Sequence, residues 1–407
     1  MPPAASGARA AVPDAPRPAG APGLPAAVPD VPAAVPDVSV VDAAADLAAA
    51  VREDAGRWDE RGALPDEAVR AVAAAGLLAP DLPARHGGAG ATPVQLGEAV
   101  AHLGGVCGAL RALLTVQGMT AAALLRWGSA AQRERWLPAL ASGERLAGFA
   151  ATEREAGSAL AEVGTRIEDD GEQLVVTGAK RWVTFGQSAD LLLVLGRTAA
   201  GPTAVLVEGD RAGIGREPVA GQLGLRAARI AHLTFDRVRV PRENLVAPAG
   251  AGLTHTAAVA LDHGRFTVAW GCVGMAEACL ADAVEHAVRR VQGGVPLAEH
   301  QLVRSLLARS AVDAAAARAL AERAAQARAG SPLGAVTETV AAKYAAAGAA
   351  KAVADRAVQV LGSAGCEPGG RPGRFYRDAK VMEIIEGSPQ LAELHLADRL
   401  LRRAVRR

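Results

Sequence analysis

The spacing of apolar residues changes twice along this chain, and that change limits the fold more than any single motif does. From Val41 to about Ser142 the spacing is helical. "VVDAAADLAAAVREDAGRWDE" places apolar residues three and four apart. "LPDEAVRAVAAAGLL" opens on Pro and acidic residues and stops near Gly76, and the stretch 93–140 predicts two or three more helices broken near Gly104–Gly108 and Gly128. From about Leu146 to Ala247 the pattern becomes short β-branched or apolar runs between Gly, Asp and Pro: "EQLVVTGAKRWVTFG", "DLLLVLGRT", "TAVLVEG" and "ARIAHLTFDRVRVP". Beyond Ala251 long Ala- and Leu-rich segments return at 252–291, 297–328 and 333–361, and a Gly/Pro-rich loop at 362–374 precedes the last helices. The expected class is α+β, mostly α. It comprises a helical domain over 41–145, a β-sandwich or barrel of four to eight antiparallel strands over 146–248, and an up-and-down four-helix bundle over 249–407.

Residues 1–40 contain "PAAVPDV" twice, at 25–31 and 32–38. Proline at that density blocks helix and removes ladder donors, and no continuous apolar run marks a secretory signal, so a disordered extension is expected. The 407 residues carry 44 basic and 43 acidic side chains, a formal charge of +1 that gives no reason to expect a nucleic-acid partner. Cys107, Cys272, Cys279 and Cys366 form no CxxC pair and the histidines form no ligand pattern. No metal site and no disulfide are therefore expected, and a reducing cytoplasm is the default. Uninterrupted apolar runs such as "LLLVLG" are too short to span a bilayer. No G-x-G-x-x-G runs from a strand into a helix, so no Rossmann dinucleotide site is expected.

One carboxylate stands out. In "AKVMEIIEGSPQLAELHLADRLL", Glu386 lies in an apolar run where Gly-Ser-Pro must end the helix. A buried carboxylate is expensive unless it is paired, neutralised or used. A water-poor wall raises a carboxylate's proton affinity and makes it a stronger base. Glu383 and Glu393 are nearby, but both lie inside helical runs. Ser388 and Pro389 suit the start of the next helix.

Seven stretches in order, "ARHGGAG", "FAATEREAGS", "AKRWVTFGQSAD", "VRVPRENLV", "HAVRRVQGGVPLAEHQLV", "AVQVLGSAG" and "FYRDAKVMEIIEGSPQL", resemble the acyl-CoA dehydrogenase family of flavoproteins, across about 42–404. The resemblance implies noncovalent FAD, removal of a proton and a hydride from an acyl thioester, and Glu386 as catalytic base with Arg265 beside it. It places Phe149, Ala151, Thr152 and Ser158 along the flavin ring and pyrophosphate, with Trp182 and Thr184 packed on the flavin. It directs Arg290 and Gln292 toward the FAD diphosphate of a neighbouring subunit, Gln301, Gln359, Gly362 and Ser363 toward the adenine half, and Ser388 and Gln390 toward the ring. A homodimer or homotetramer is thereby implied, with the electron acceptor unspecified. Three positions depart from the pattern: Gly293 for the usual Phe, Ala159 for Asp and Arg154 for Pro. Stretches 107–119 and 261–280 are similar to relatives in polyketide pathways, which oxidise short acyl groups tethered to an acyl carrier protein. An ordinary CoA thioester, or a flavin oxidase or hydroxylase of the same fold, is the alternative.

Overall fold

The computed structural model describes residues 39–331 and 334–405. The expected N-terminal extension lies outside these residues except at its end. There Ser39 Oγ accepts the Asp42 amide and caps α1 (Val40–Ala50), which begins one residue before the sequence boundary. α2 (Asp54–Arg61), α3 (Asp66–Ala74), α4 (Pro93–Gly104), α5 (Gly108–Trp127) and α6 (Ala130–Ser142) follow. Thr92 and Ser129 open α4 and α6 with capping boxes closed by Gln95 and Gln132, each tying two otherwise unpaired amides. The expected two or three helices over 93–140 are three.

The β region holds β1 (Ala147–Ala150), β2 (Arg166–Asp170), β3 (Gln173–Val183), β4 (Leu191–Thr198), β5 (Gly201–Glu208), β6 (Ile214–Pro218), β7 (Ala231–Pro241) and β8 (Leu245–Val246). They form one eight-stranded sheet in the order β6-β7-β3-β2-β4-β5-β8, with β1 on β4. The sheet is mixed, not wholly antiparallel as the sequence reading had it. β1 runs parallel to β4, and one parallel pair, Arg166 with Arg197, joins the two halves. Such pairings span long loops and leave no turn signature.

After a π-helical turn at Gly252–Ala257 come α7 (Ala258–Arg289), a hairpin of β9 (Val291–Gln292) and β10 (Val295–Pro296), α8 (Gln301–Gly330), α9 (Val336–Leu361), α10 (Arg371–Ile384) and α11 (Pro389–Val405). α9 packs on α7, α8 and α10. Gly293 and Gly294 both have positive φ, 63° and 87°, as a two-residue hairpin turn demands. This gives the departure at position 293 a backbone reason.

Two helical stretches, Gly108–Trp127 and Gly252–Arg289, are apolar and long enough by composition to cross a membrane, which a count of unbroken apolar runs does not detect. Their apolar windows are 89% and 67% buried inside the fold, so here they serve as core. α5 and α7 lie side by side at its centre, and the candidate base sits against them.

Candidate active site

α10 stops where Gly387, Ser388 and Pro389 prevent another turn. Glu386 adopts a left-handed conformation (φ 56°), followed by Gly387 at φ 105°. For a residue with a Cβ this costs roughly 1–2 kcal/mol. A helix end also leaves carbonyls unpaired. Two cations meet that need: Arg265 Nε donates to the Glu386 carbonyl at 2.8 Å, and Lys343 Nζ donates to the carbonyls of Glu383 at 3.1 Å and Gly387 at 2.7 Å. The Ser388 carbonyl accepts the Ala392 amide at 3.1 Å, so Ser388 takes the N-cap position of α11 with Pro389 first in the helix.

The carboxylate points at the α5–α7 seam. Although Glu386 keeps part of its surface exposed, Oε2 is shut off from solvent and has no hydrogen-bond partner among the described residues. Burial raises its proton affinity above the ordinary carboxylate value, while the charges of Arg265, Lys343, Arg111 and His263 pull the other way. Gly264 makes room for the group: a Cβ there would stand 2.8 Å from Cδ and Oε2, and 3.1 Å from Met119 Sδ. Glu383 lies within α10, its carboxylate bonded to Lys380 at 2.8 Å, and Glu393 bonds Tyr344 at 3.0 Å.

The seam beside the base is polar. Along α5, Arg111, Thr115 and Met119 share one face at four-residue spacing. Thr115 Oγ1 lies 3.0 Å from Thr267 Oγ1, and Arg111 Nη1 donates to Thr115 Oγ1 at 3.2 Å. Arg111 is 1% exposed, and among the described residues its Nε has no partner and it forms no ion pair with a carboxylate. His263, also buried, meets Asp81 Oδ2 through Nε2 at 3.2 Å, and its Nδ1 has no partner among the described residues.

On the β side, the loop after β1 runs along β3. Buried Lys180 pairs with Glu153 at 2.6 Å and with the Ala151 carbonyl at 3.0 Å, and the Arg181 amide bonds the Thr152 carbonyl at 2.8 Å. This brings Ala151 and Thr152 beside Trp182 and Thr184, while Ser158 lies exposed beyond the loop. Trp182 has a left-handed backbone (φ 58°) and is 55% exposed, a flat apolar face turned outward rather than sheet core. Phe149 packs with the apolar cluster that contains Met119. The exposed aromatic face beside backbone amides and a threonine hydroxyl fits an isoalloxazine ring.

The remaining predicted residues form a second group. Arg290 follows α7 as its C-cap, Gln292 lies in β9, Gln301 opens α8, exposed Gln359 lies in the last turn of α9, and exposed Gly362 and Ser363 follow it. Arg290 and Leu361 border one surface cleft. At 1.5 Å per residue, Arg290 is about 37 Å along α7 from Arg265. Gln390 lies exposed at the start of α11, near the base end.

Sequence models of the acyl-CoA dehydrogenase N-terminal, middle and C-terminal domains match residues 38–144, 148–238 and 250–401. The chain belongs to the acyl-CoA dehydrogenase family. It is 31% identical over 355 residues to the mitochondrial short-chain specific acyl-CoA dehydrogenase of Mus musculus, covering 86% of this chain and 85% of that one. The solved structure of FkbI, described as acting in biosynthesis of the methoxymalonyl extender unit of the Fk520 polyketide, superposes with TM-score 0.82 at 41% identity, covering 88% and 99% of the two chains. Butyryl-CoA dehydrogenase from Megasphaera elsdenii superposes with TM-score 0.85 at 28% identity, covering 89% and 97%. As a family member the chain is an FAD-dependent oxidoreductase acting on acyl thioesters.

Sequence reasoning missed Gly264, Lys343, Arg111 and the His263–Asp81 pair. One signal was available: of 44 basic residues only four are lysine, so a lysine kept inside an Ala-rich helix stands out.

Proposed function

We propose that this chain dehydrogenates a short, oxygen-bearing acyl group tethered to an acyl carrier protein, with Glu386 as the base. Glu386 removes the α-proton, Arg265 holds its backbone in place, and the dry α5–α7 wall keeps its carboxylate reactive. FAD, when bound, supplies the acceptor for the β-hydride. Trp182, Thr184, Thr152 and Ser158 would hold its ring and adjoining pyrophosphate.

The observation that carries this reading is the 41% identity to FkbI, of methoxymalonyl extender-unit biosynthesis, across 88% of this chain, against 28% for the butyryl-CoA enzyme, and the resemblance of 107–119 and 261–280 to relatives with tethered substrates adds the carrier protein. The polar groups around the base support it. Arg111 and His263 are buried with unpartnered nitrogens, a wall suited to substrate oxygens and unsuited to a methyl-terminated chain. The test measures flavin reduction by glyceryl, seryl and butyryl thioesters on both carrier protein and CoA. A tethered polar substrate is expected to be faster than its CoA counterpart by roughly tenfold, which needs only about 1.4 kcal/mol from contacts at the rim of the site. Faster reduction by butyryl-CoA than by every tethered substrate would return the chain to ordinary short-chain acyl-CoA oxidation.

The distance of Arg290 from the base end of α7, about 37 Å at 1.5 Å per residue, supports a homo-oligomer in which Arg290 reaches a neighbouring chain's FAD diphosphate. Guanidinium binds phosphate oxygens bidentately. Arg290→Ala is expected to lose FAD on dialysis and to dissociate more readily, since a charge-assisted contact is worth roughly 1.5–3 kcal/mol. Full flavin occupancy with an unchanged sedimentation profile would exclude this role.

A further inference from the structure

We propose that Lys343 is a positioning residue for the base, its side chain clamping the turn that carries Glu386. The inference rests on Glu386 as the base and adds a residue from a different helix. Lys343 stands on α9 and is 3% exposed, yet among the described residues it pairs with no carboxylate within 4 Å. Its partners are two carbonyls that bracket the turn: Glu383 at 3.1 Å, before the helix ends, and Gly387 at 2.7 Å, just after the base. A donor that ties these two points fixes the path of residues 384–386 between them. That path includes the unfavourable left-handed φ of 56° at Glu386. Arg265 holds the third carbonyl, that of Glu386 itself, from α7.

A lysine suits this task better than an arginine. Two carbonyls converging on one point call for a compact charge with several donors, whereas a flat guanidinium fork matches a carboxylate. The chain uses arginine almost everywhere else. The groups facing the ammonium are Arg265 and Cys272 from α7, and Glu383 and Glu386 from α10 and its turn. Glu393 of α11 is engaged by Tyr344, and the Glu383 carboxylate by Lys380 at 2.8 Å and Lys351 at 3.7 Å. Burial pushes the Lys343 ammonium down to about 8. Lys343 and Glu383 also border a cleft of about 220 Å³ through which protons can exchange. The charge that grips the turn is therefore present at neutral pH and lost as pH rises past about 8. The same charge helps keep Glu386 ionised.

The test compares Lys343→Met and Lys343→Arg with the unaltered holoenzyme. Amide hydrogen exchange read by mass spectrometry over residues 383–389 should show protection reduced at least tenfold in Lys343→Met, with α8 unaffected. Flavin reduction should slow by roughly ten- to a hundredfold in kcat with little change in KM. The acid limb of its pH profile should move to higher pH, because a cation beside Glu386 has gone. Lys343→Arg should recover the acid limb but not the full protection. In the unaltered protein, protection of this segment, corrected for intrinsic exchange, should fall between pH 7 and pH 9. That last measurement decides even if both variants fail to fold. Unchanged protection in Lys343→Met, or protection flat with pH in the unaltered protein, would overturn the proposal. So would a variant that melts earlier but keeps its acid limb. If no thioester reduces the flavin, the dehydrogenase reading falls, while the exchange measurements still decide the role of Lys343.

Discussion

Glu386→Gln is expected to leave a folded, flavin-containing protein that no acyl thioester reduces. The amide keeps the shape of the side chain and its place against Gly264, but it has no basic lone pair. A positioned base contributes roughly 10²–10⁴-fold, and the deprotonation that starts the reaction has no other candidate at hand. Glu383 is tied to Lys380 and Lys351, and Glu393 to Tyr344. Stopped-flow reduction of the flavin is the measurement, and rapid bleaching in the variant would remove Glu386 from its role.

The same substitution carries a stability signature. Burial raises the Glu386 proton affinity in the folded protein above the ordinary value of 4.5, so the folded state holds the proton to higher pH than the unfolded chain does. Below the unfolded value both states are neutral and the ionisation penalty is absent. As pH rises through the folded value the penalty appears in full. The unaltered enzyme thus carries at working pH a cost that Gln does not. Melting curves of the two proteins should coincide in acid and separate toward neutral pH, with the variant melting higher. Activity runs the opposite way: it needs the ionised base and is lost as pH falls through the same value. A variant that melts lower at pH 7 than at pH 4, relative to the unaltered protein, would show that Oε2 has a stabilising partner.

The three-part fold could be read in the sequence because each part keeps its own apolar period, and caps such as Thr92 and Ser129 are local signals. Glu386 could be read for the same kind of reason: a carboxylate in an apolar run at a Gly-Ser-Pro break is a conflict visible within five residues. What holds it there could not be read this way. Lys343 lies 44 residues from the carbonyl of Gly387, and Arg265 lies 121 from that of Glu386. In sequence Lys343 looks like a solvated position on an Ala-rich helix, and Arg265 is placed beside the base by the family resemblance alone. Arg111 appears as an ordinary helical arginine until α7 and α10 close over it. Trp182 followed β periodicity as a strand residue, yet its backbone turns left-handed and presents the ring outward. The parallel pairing of β1 with β4 joins segments with no turn between them, which periodicity does not encode.

Gly264→Ala is expected to lower kcat by roughly 10²-fold while leaving flavin content intact. The position has ordinary helical geometry, so alanine is acceptable to α7 itself and improves helix propensity by up to about 1 kcal/mol. The conflict is with what the glycine faces. The new methyl would sit 2.8 Å from both Cδ and Oε2 of Glu386 and 3.1 Å from Met119 Sδ. Contacts that close do not persist, so something must move. Met119 is a flexible thioether and can yield the few tenths of an ångström it is asked for. The carboxylate is less free, because its backbone is held by Arg265 at one carbonyl and by Lys343 on either side. It must turn about its own side-chain torsions, away from α7 and off the line to the substrate α-carbon. A displacement near 1 Å in a reacting group is enough for a hundredfold loss. Overpacking costs roughly 1–3 kcal/mol and is partly offset by the helix gain, so the melting temperature should drop by only a few degrees. Thioester binding to the oxidised enzyme should change far less than kcat, since the methyl touches the base and not the carrier. A twofold or smaller change in kcat would mean that the α7 wall does not fix the position of Glu386. The turn held by Arg265 and Lys343 would then be its only restraint.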